Sequence, residues 1–398
     1  MALYTTQEEL EALVSDYRRD LERKELQRQK SLKGRPSLIQ QVPPEVLLEV
    51  FSILVNNDSR NMVFPSHVCR LWRGLITESS SLWTCIALGH YNEDKEAVFA
   101  YLQTVVSRAG PRQLSLSIYP DSKFLTACEL LKIVLKVAEN AEWCSLCYES
   151  YKIDEFVPYF DGSANVAHVR SLSLICRVRD FGIFELDLPG GVVDMQPFVQ
   201  LRSLTLEFLQ QVRTANVLAP WDQLTALNLG AYMDSLRYLT ILRSCVNLET
   251  CRLCPDTNDD MQKISHEELE RDPIQLTQLK RLHLTTYRVP ALIPWNLQCP
   301  ALQDATFDYD ENDDNDECCE LISFIRSCGT TLQKMQLPGI ATDYFHEMQD
   351  DLKVLERLTI SGPFGSPDID ELSKKEIYTA GIRFFSGISL ISPRLFLD

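Results

Sequence analysis

Residues 40–57, QQVPPEVLLEVFSILVNN, predict a helix that is apolar around most of its circumference. Pro43 and Pro44 suit the first turn of a helix, where a missing N–H costs nothing, and Glu45 suits the positive end of the helix dipole. Polar side chains recur with a 4-3-4 spacing, at Glu45, Glu49, Ser52 and Asn56. A helix with so narrow a polar stripe is buried on nearly all sides, either in a large core or against a partner.

A polar loop and a second helical segment, NDSRNMVFPSHVCRLWRGL, follow this helix. Val68, Trp72 and Leu75 are spaced for one helix face, and Arg70 and Arg73 point away from it. Two short helices cannot bury this many Leu, Val, Phe and Trp side chains between themselves. The pair therefore needs either a larger core or a partner protein.

The same residues carry a resemblance to a known family. VPPEVLLEVFSIL followed by VCRLWRGL resembles the F-box, whose usual form is Leu-Pro-x-Glu-hydrophobic-Leu-x-x-Ile-Phe and then Val-Cys-x-x-Trp. The matching positions are Val42, Pro43, Glu45, Leu47, Val50, Phe51, Leu54, Val68, Cys69 and Trp72. Val42 replaces the usual Leu, and Pro65 stands where a helical residue is common.

Resemblance to the F-box implies a partner, the Skp-family adaptor of cullin-RING ubiquitin ligases. It also implies which side chains matter to that contact, either by direct burial or by holding the two helices together. The implied adaptor-binding residues are Val42, Pro43, Glu45, Leu47, Val50, Phe51, Leu54, Val68 and Trp72. A plain buried helix pair inside one domain is the alternative.

Residues 7–31 are dense in helix-forming residues and predict a charged N-terminal helix. Its apolar stripe ends after Leu21, which favours a lone or self-docked helix over a coiled coil. Gly34 and Pro36 then break the helix and give a linker.

Beyond residue 80 one short template, L-x-x-L-x-L, recurs along the chain. Clear copies are VRSLSL (169–174), LRSLTL (201–206), LTALNL (224–229), LETCRL (248–253), LKRLHL (279–284), LQDATF (302–307), LQKMQL (332–337) and LERLTI (355–360). Weaker copies are WTCIAL (83–88), PRQLSL (111–116) and WCSLCY (143–148). In each copy two apolar residues flank one that points the other way, as a short strand requires, and helical stretches such as MDSLRYLTILRSC lie between copies. Stacked strand-helix units predict a parallel sheet on the inner side of a solenoid.

The repetition resembles the degenerate leucine-rich repeats of fungal-type F-box proteins, in which SLWTCIAL would begin the array directly after the F-box. The Asn that regular repeats carry after the strand is missing, since Tyr232, Asp256 and Tyr287 stand there instead. We therefore expect an α/β fold: a short N-terminal helix and a helical F-box, then an irregular leucine-rich-repeat solenoid with a parallel concave sheet. The expected domains are an N-terminal helix and linker (1–37), the F-box (38–80), and the solenoid with an apolar C-terminal cap (81–398).

Composition restricts the classes of partner. The net charge of −17 argues against general nucleic-acid binding and against docking on anionic membranes. Much of this charge lies in DYDENDDNDECCE (308–320), which is typical of a solvated loop and lacks the Gly of a Ca²⁺ loop. MALYTTQEEL has no basic-then-apolar signal, so we expect a cytoplasmic or nuclear protein whose 13 cysteines stay reduced.

Motifs for catalysis or metal binding are incomplete. HEELE (266–270) lacks the second His of a zinc helix, and LPGGVV (188–193) lacks the Lys-Ser/Thr of a phosphate loop. Two CxxC pairs, Cys144/Cys147 and Cys251/Cys254, lie on predicted strands, where residues three apart point to opposite faces, which favours packing over zinc. We therefore expect no catalytic residue, no metal and no cofactor.

The sequence thus predicts a substrate receptor and not an enzyme: the F-box holds a Skp-family adaptor and through it a cullin, and the repeats hold a target protein. Between the paired apolar positions of the strands stand polar residues: Ser173, Thr205, Asn228, Arg252, His283, Thr306, Gln336 and Thr359. Among these and their same-face neighbours, the candidate target-binding residues are Arg252, Arg281, His283, Lys334 and Arg357, with Asp304 and Asp308 beside them. Ordinary solvated strand positions are the alternative there. The alternative function is a leucine-rich scaffold with an F-box-like helix pair and no ubiquitin-ligase role.

Overall fold

The computed structural model describes the chain in separate ranges. These are residues 7–32, 41–56, 58–89, 94–119, 125–150, 166–176, 192–208, 216–230, 235–254, 273–286, 297–309, 324, 328, 331–338 and 357–361. The acidic run beyond residue 309, the HEELE motif, most of LPGGVV and the apolar C-terminal tail lie outside them. Within the described ranges, no helix combines the length and apolar character needed to span a membrane.

The chain divides into two compact units. The first comprises Met1–Asn56 and Arg60–Leu82, and the second comprises Asn57–Ser59 and Trp83–Asp398. The helices of the first unit are α1 (Gln7–Leu32), α2 (Pro44–Val55), α3 (Val63–Ser66) and α4 (Arg70–Glu78). The predicted N-terminal helix is therefore present as α1.

Helix α2 begins where its proline pair predicts. Pro43 is the N-cap and Pro44 the first helical residue, and the Pro43 carbonyl accepts hydrogen bonds from the amides of Val46 and Leu47 at 3.1 and 3.2 Å. The helix ends at Asn56, whose φ of 37° lies in the left-handed region that Asn tolerates better than most residues. The local sequence thus sets both ends of α2.

The second helical segment differs from the prediction of one continuous helix. Pro65 lies inside the single turn of α3, where its missing N–H costs nothing, and a turn closes when the amides of His67 and Val68 donate to the carbonyls of Phe64 and Pro65. Cys69 is extended, with φ −156°, and α4 starts only after it. Val68 therefore precedes α4 and does not share a helical face with Trp72 and Leu75.

The second unit is built on one large parallel sheet. Its eleven strands are β1 (Cys85–Leu88), β2 (Leu114–Ile118), β3 (Trp143–Ser150), β4 (Ser171–Cys176), β6 (Ser203–Phe208), β8 (Ala226–Leu229), β9 (Thr250–Leu253), β11 (Arg281–Thr286), β13 (Asp304–Tyr309), β14 (Lys334–Pro338) and β15 (Arg357–Ser361), and they neighbour each other in this order. Two small sheets pair β5 (Val192–Asp194) with β7 (Asn216–Leu218), and β10 (Ile274–Gln275) with β12 (Leu297–Gln298). The helices of this unit are α5 (Lys95–Ala109), α6 (Ala127–Val137) and α7 (Ser235–Ser244).

Every copy of the L-x-x-L-x-L template provides one strand of the large sheet, and the prediction of a parallel sheet is confirmed. In the strands of the large sheet from β1 to β13, the two apolar positions point into the core. Leu204, Leu227, Cys251 and Leu282 are paired in register from β6 to β11, and all are buried. Their alternation with polar neighbours is the period of two that a strand with one buried face requires. The core of this unit is therefore a ladder of apolar residues on one side of the sheet.

Cys251 fills a core leucine position of this ladder, as its place in the template predicts. It is 1 % exposed, and burial raises the pKa of its thiol well above the ordinary value. Cys144 differs from its prediction, because the register between β2 and β3 shifts at Leu114 and Ser115 and leaves Cys144 as an extra residue. Its Sγ lies 3.4 Å from the Ser115 Oγ, so this bulge moves the thiol from the face expected for a regular strand.

Candidate protein-binding surfaces

Helix α2 buries only one of its apolar stripes. Leu47, Phe51 and Val55, at i, i+4 and i+8, are at most 6 % exposed. Four further apolar side chains of this helix are 43–71 % exposed, namely Val46, Val50, Ile53 and Leu54, and Leu48 is half-buried. The helix is therefore apolar on both its buried and its exposed side, which an isolated soluble domain does not need.

The buried stripe joins α2 to α4. The rings of Phe51 and Trp72 meet edge to face, with centroids 5.0 Å apart and planes at 74°, a favourable aromatic geometry. Arg73 adds a second link, since its Nε donates to the carbonyl of Ser66 at 3.0 Å and so ties α4 to α3. The Phe51–Trp72 contact and the Arg73 hydrogen bond thus link α2, α3 and α4.

The exposed apolar side of α2 has counterparts on α3 and α4. Phe64 is 85 % exposed, an unusual state for a side chain of this size. With it, Val63, Val68 and Leu71 are exposed on the segment from α3 to α4. We name the exposed set the apolar surface; it consists of Val46, Val50, Ile53, Leu54, Val63, Phe64, Val68 and Leu71.

The predicted adaptor-binding residues fall into two groups. Pro43, Glu45, Val50, Leu54 and Val68 are exposed, whereas Val42 and Trp72 are half-buried and Leu47 and Phe51 are buried. The sequence-based set omitted exposed apolar residues, namely Val46, Ile53, Val63, Phe64 and Leu71. The apolar pattern around all of α2 could have indicated that Val46 and Ile53 are exposed. Nothing in the sequence pattern indicated the exposure of Phe64.

Part of the first unit, together with the strand after it, matches a known domain family. Residues 39–89 match the F-box-like family model. This F-box-like domain contains α2, α3 and α4, with the whole apolar surface, and extends through β1 to Gly89. Comparison of the whole chain with curated proteins gives no match.

The face of the large sheet opposite the buried ladder carries a second candidate surface. The strand registers align the residues of this face in two rows, and we call this face of the sheet the open face. The first row is Cys85, Ser115, Ser145, Ser171, Ser203, Ala226, Thr250, Arg281, Asp304, Lys334 and Arg357. The second row is Ala87, Ser117, Cys147, Ser173, Thr205, Asn228, Arg252, His283, Thr306, Gln336 and Thr359. The polar positions predicted between the apolar pairs therefore share one face.

Charge is unevenly distributed along these rows. From β1 to β8 the rows hold hydroxyl, thiol, alanine and amide side chains and no Lys or Arg. Every Lys and Arg of the two rows lies on β9, β11, β14 or β15. These Lys and Arg residues, together with His283, form what we name the basic strip. It consists of the predicted target-binding residues Arg252, Arg281, His283, Lys334 and Arg357.

Strand pairing brings the members of the basic strip together. Arg252 is the register partner of His283. Arg281, Asp304, Lys334 and Arg357 are consecutive partners from β11 to β15. Residues from successive repeats thus become neighbours about 4.8 Å apart, although they are distant in the sequence.

Three cations of the basic strip have no ion-pair partner within the part of the chain that the structure describes. Arg252, Arg281 and Lys334 are exposed, and none of them forms an ion pair with a described carboxylate. The described ion pair closest to them in sequence, Lys280 with Glu249 at 2.8 Å, lies just before the strands and joins two half-exposed side chains. The guanidinium groups of Arg252 and Arg281 are therefore available to an anionic ligand.

Groups that could take part in metal or thiol chemistry were compared with these surfaces. Among the described side chains, no group of three or more His, Cys, Asp and Glu residues is arranged to hold a metal ion. Burial raises the pKa of the Cys245 thiol to about 12 and also raises the pKa of Cys299. What the two surfaces offer is an apolar patch and a charged patch, both suited to contact with other proteins.

Proposed function

We propose that this chain is a substrate-recognition subunit of an SCF-type cullin-RING ubiquitin ligase. In this role the F-box-like domain binds a Skp-family adaptor, and through it a cullin, while the second unit binds a target protein. The chain itself makes and breaks no bonds; it holds the target near the ubiquitin-charged enzyme, where proximity raises the rate of transfer. Such a role places it in the cytoplasm or the nucleus.

The apolar surface is the observation that carries the proposal. A domain that buries Leu47, Phe51 and Val55 already has a core, so its exposed Val, Ile, Leu and Phe side chains are not needed for folding. Clustered exposed apolar residues with charged neighbours mark protein-binding sites. Within a segment that matches the F-box-like family, a Skp-family adaptor is the partner that fits this surface.

For the second unit we propose an irregular leucine-rich-repeat solenoid with its open face on the concave side. Supporting this is the agreement between eleven copies of the template and eleven parallel strands in sequence order. In solenoids each repeat contacts only its neighbours, and the sheet side offers an extended binding surface. The target would then contact side chains of the two rows.

The adaptor contact can be tested by the double substitution Ile53→Glu and Phe64→Glu. Both side chains are more than 70 % exposed, so the change should leave the domain folded. Buried charge at the centre of an interface should weaken binding of purified Skp-family adaptor at least about tenfold in a calorimetric titration, since interface hot spots typically contribute 2 kcal/mol or more.

The matched control introduces two glutamates at other exposed apolar positions. Val199→Glu with Val246→Glu changes two valines that are 59 % and 52 % exposed in the second unit, and adaptor binding should be unchanged. A second comparison is Leu47→Ala with Phe51→Ala, which should lose binding because the helix pair unfolds, at a cost of about 2–5 kcal/mol per residue. Adaptor binding at wild-type strength by the Ile53/Phe64 variant would refute the proposed contact.

A leucine-rich scaffold that binds the adaptor without delivering a target is the second candidate. Proteome measurements in the native cell separate the two functions. Deleting a receptor should slow the degradation of its target and raise its level, and inhibiting cullin activation should give the same rise. A scaffold would leave the lifetimes of its binding partners unchanged.

A further inference from the structure

We propose that the basic strip binds an extended, carboxylate-rich peptide segment of the target protein, which lies across strands β9 to β15. This inference relies on the proposed function only for the statement that the bound protein is the target. The binding chemistry itself follows from the side chains of the open face.

The first observation is the segregation of charge on a single surface. In a chain of net charge −17, Arg252, Arg281 and Lys334 lie on nearby strands of one face. Asp304 is the described carboxylate of the two rows on these strands, and it lies between Arg281 and Lys334. Three cations against one carboxylate leave this part of the face with a net positive charge, which a bound anion would offset.

The second observation is the absence of internal partners. Arg281 and Asp304 are direct register partners, as are Asp304 and Lys334, yet no ion pair joins them among the described residues. The cationic groups therefore extend into solvent instead of closing on Asp304. Arg guanidinium groups bind carboxylates through paired N–H donors, which a ligand can accept when no internal acid does.

Dimensions favour a short extended segment. Five strands from β9 to β15 are separated by four steps of about 4.8 Å, so the basic strip is about 19 Å wide. An extended chain covers this distance in about six residues at about 3.3 Å each. The two rows are about two strand residues apart, or about 6.6 Å, so both rows lie within side-chain reach of a segment that crosses the strands.

The flanking side chains favour a peptide over a nucleic acid. Thr250 and Thr306 supply hydroxyl groups between the cations. Apart from the imidazole of His283, the two rows on these strands contain no aromatic ring on which bases could stack. The overall negative charge also disfavours a long polyanion, whereas a few carboxylates contact the basic strip alone.

The test is a direct titration of the purified full-length chain with labelled peptides, without any adaptor. The probe is a fluorescein-labelled ten-residue peptide in which glutamate alternates with serine. A second peptide has glutamine in place of each glutamate, and a third has glutamine together with phosphoserine in place of serine. A ten-nucleotide single-stranded DNA serves as the nucleic-acid probe. Fluorescence anisotropy at low salt should show binding of the glutamate peptide and none of the glutamine peptide.

Three variants of the chain give opposed expectations. Arg252→Gln with Arg281→Gln should weaken binding of the glutamate peptide at least about tenfold, because each charge-assisted hydrogen bond is worth more than a neutral one. Asp304→Asn should strengthen binding of this peptide several-fold, because it removes a carboxylate that repels the peptide and keeps the shape of the side chain. Arg170→Gln removes one positive charge just before β4, where the rows carry no cations, and should leave the affinity unchanged.

Each outcome either supports or overturns the inference. Loss of binding in the double variant and a gain in Asp304→Asn support it. Equal effects of Arg170→Gln and the double variant, binding of the phosphoserine peptide alone, or preferential binding of the DNA would overturn it. Adaptor binding should be the same for all these variants, so a failure here is distinguishable from a failure of the adaptor contact.

Discussion

Gly89 shows how a single residue limits the approach of two strands. It has φ +94°, and a Cβ at this position would lie 1.9 Å from the carbonyl oxygen of Tyr119. The amide of Tyr119 donates to the carbonyl of Leu88 at 2.9 Å, so the backbone around it is fixed by strand pairing and cannot move aside. Only glycine fits here.

Gly89→Ala should therefore lower the free energy of unfolding by about 4 kcal/mol, combining backbone strain with overpacking. Gly110→Ala is the matched control, since Gly110 also has a positive φ, +61°, but no atom lies within 4 Å of its added Cβ. That change should cost about 2 kcal/mol. Urea unfolding of both variants measures the difference, and equal costs would contradict a role for the Tyr119 carbonyl.

Residue-level expectations from the sequence succeeded where a template fixed the environment. Cys251 stands at a leucine position of a repeated strand, so its burial was predictable. The exposure of Phe64 was not, because an apolar residue in a short turn carries no periodic signal that tells the buried face from the exposed one. Which of the apolar residues of α2 point inward depends on the position of α4, and this is a tertiary property.

At the scale of elements, α6 starts with a complete capping box. The Thr126 Oγ1 accepts from the Glu129 amide at 3.2 Å, and the Glu129 Oε2 accepts from the Thr126 amide at 2.8 Å. Thr126→Ala should cost about 1 kcal/mol of unfolding free energy. Thr104→Ala, the same change at an exposed position inside α5, should be close to neutral.

The same box has a pH dependence. The hydrogen bond from the Thr126 amide lowers the pKa of Glu129 below its ordinary value of 4.5. A lowered pKa in the folded state means that this contribution is present above about pH 4.5 and is lost as the pH falls below it. The cost of Thr126→Ala, measured by urea unfolding, should therefore be smaller at pH 3 than at pH 7; an equal cost would show that Glu129 takes no part.

Helix α2 and the eleven long strands could be predicted because proline placement and a repeated apolar template are local signals. The break between α3 and α4 could not be predicted, because the helical spacing of Val68, Trp72 and Leu75 continues across an extended Cys69. The small sheets β5/β7 and β10/β12 were also missed, since strands of two or three residues are too short to show a period.

Buried thiols make the whole second unit sensitive to alkali. Burial raises the pKa of Cys245 to about 12, with the charge of Asp222 adding to the effect, and it raises the pKa of Cys251 and Cys299 as well. Because these folded-state pKa values exceed the ordinary 9.0, stability is complete below about pH 9 and falls as the pH rises towards 12. Each thiol contributes a loss of about 1.4 kcal/mol per pH unit in this window.

Unfolding by urea at pH 8 and pH 10 tests the predicted loss of stability in alkali. Cys251→Val should reduce the drop in unfolding free energy between the two pH values by about 1.4 kcal/mol. Cys69→Ser, which removes a half-buried thiol of the F-box-like domain, should leave the drop unchanged. An identical drop in the Cys251 variant would mean that this thiol titrates normally.

The order of strands in the large sheet has a consequence for how the protein is made. Every later strand of the large sheet pairs with a strand that precedes it in the chain. As the ribosome adds roughly 5–20 residues per second, a new strand of this sheet with its connection emerges every few seconds and meets an edge that already exists. No strand of the large sheet must wait for its first partner to be translated, so the sheet can grow from its N-terminal end while the rest of the chain is still being synthesised.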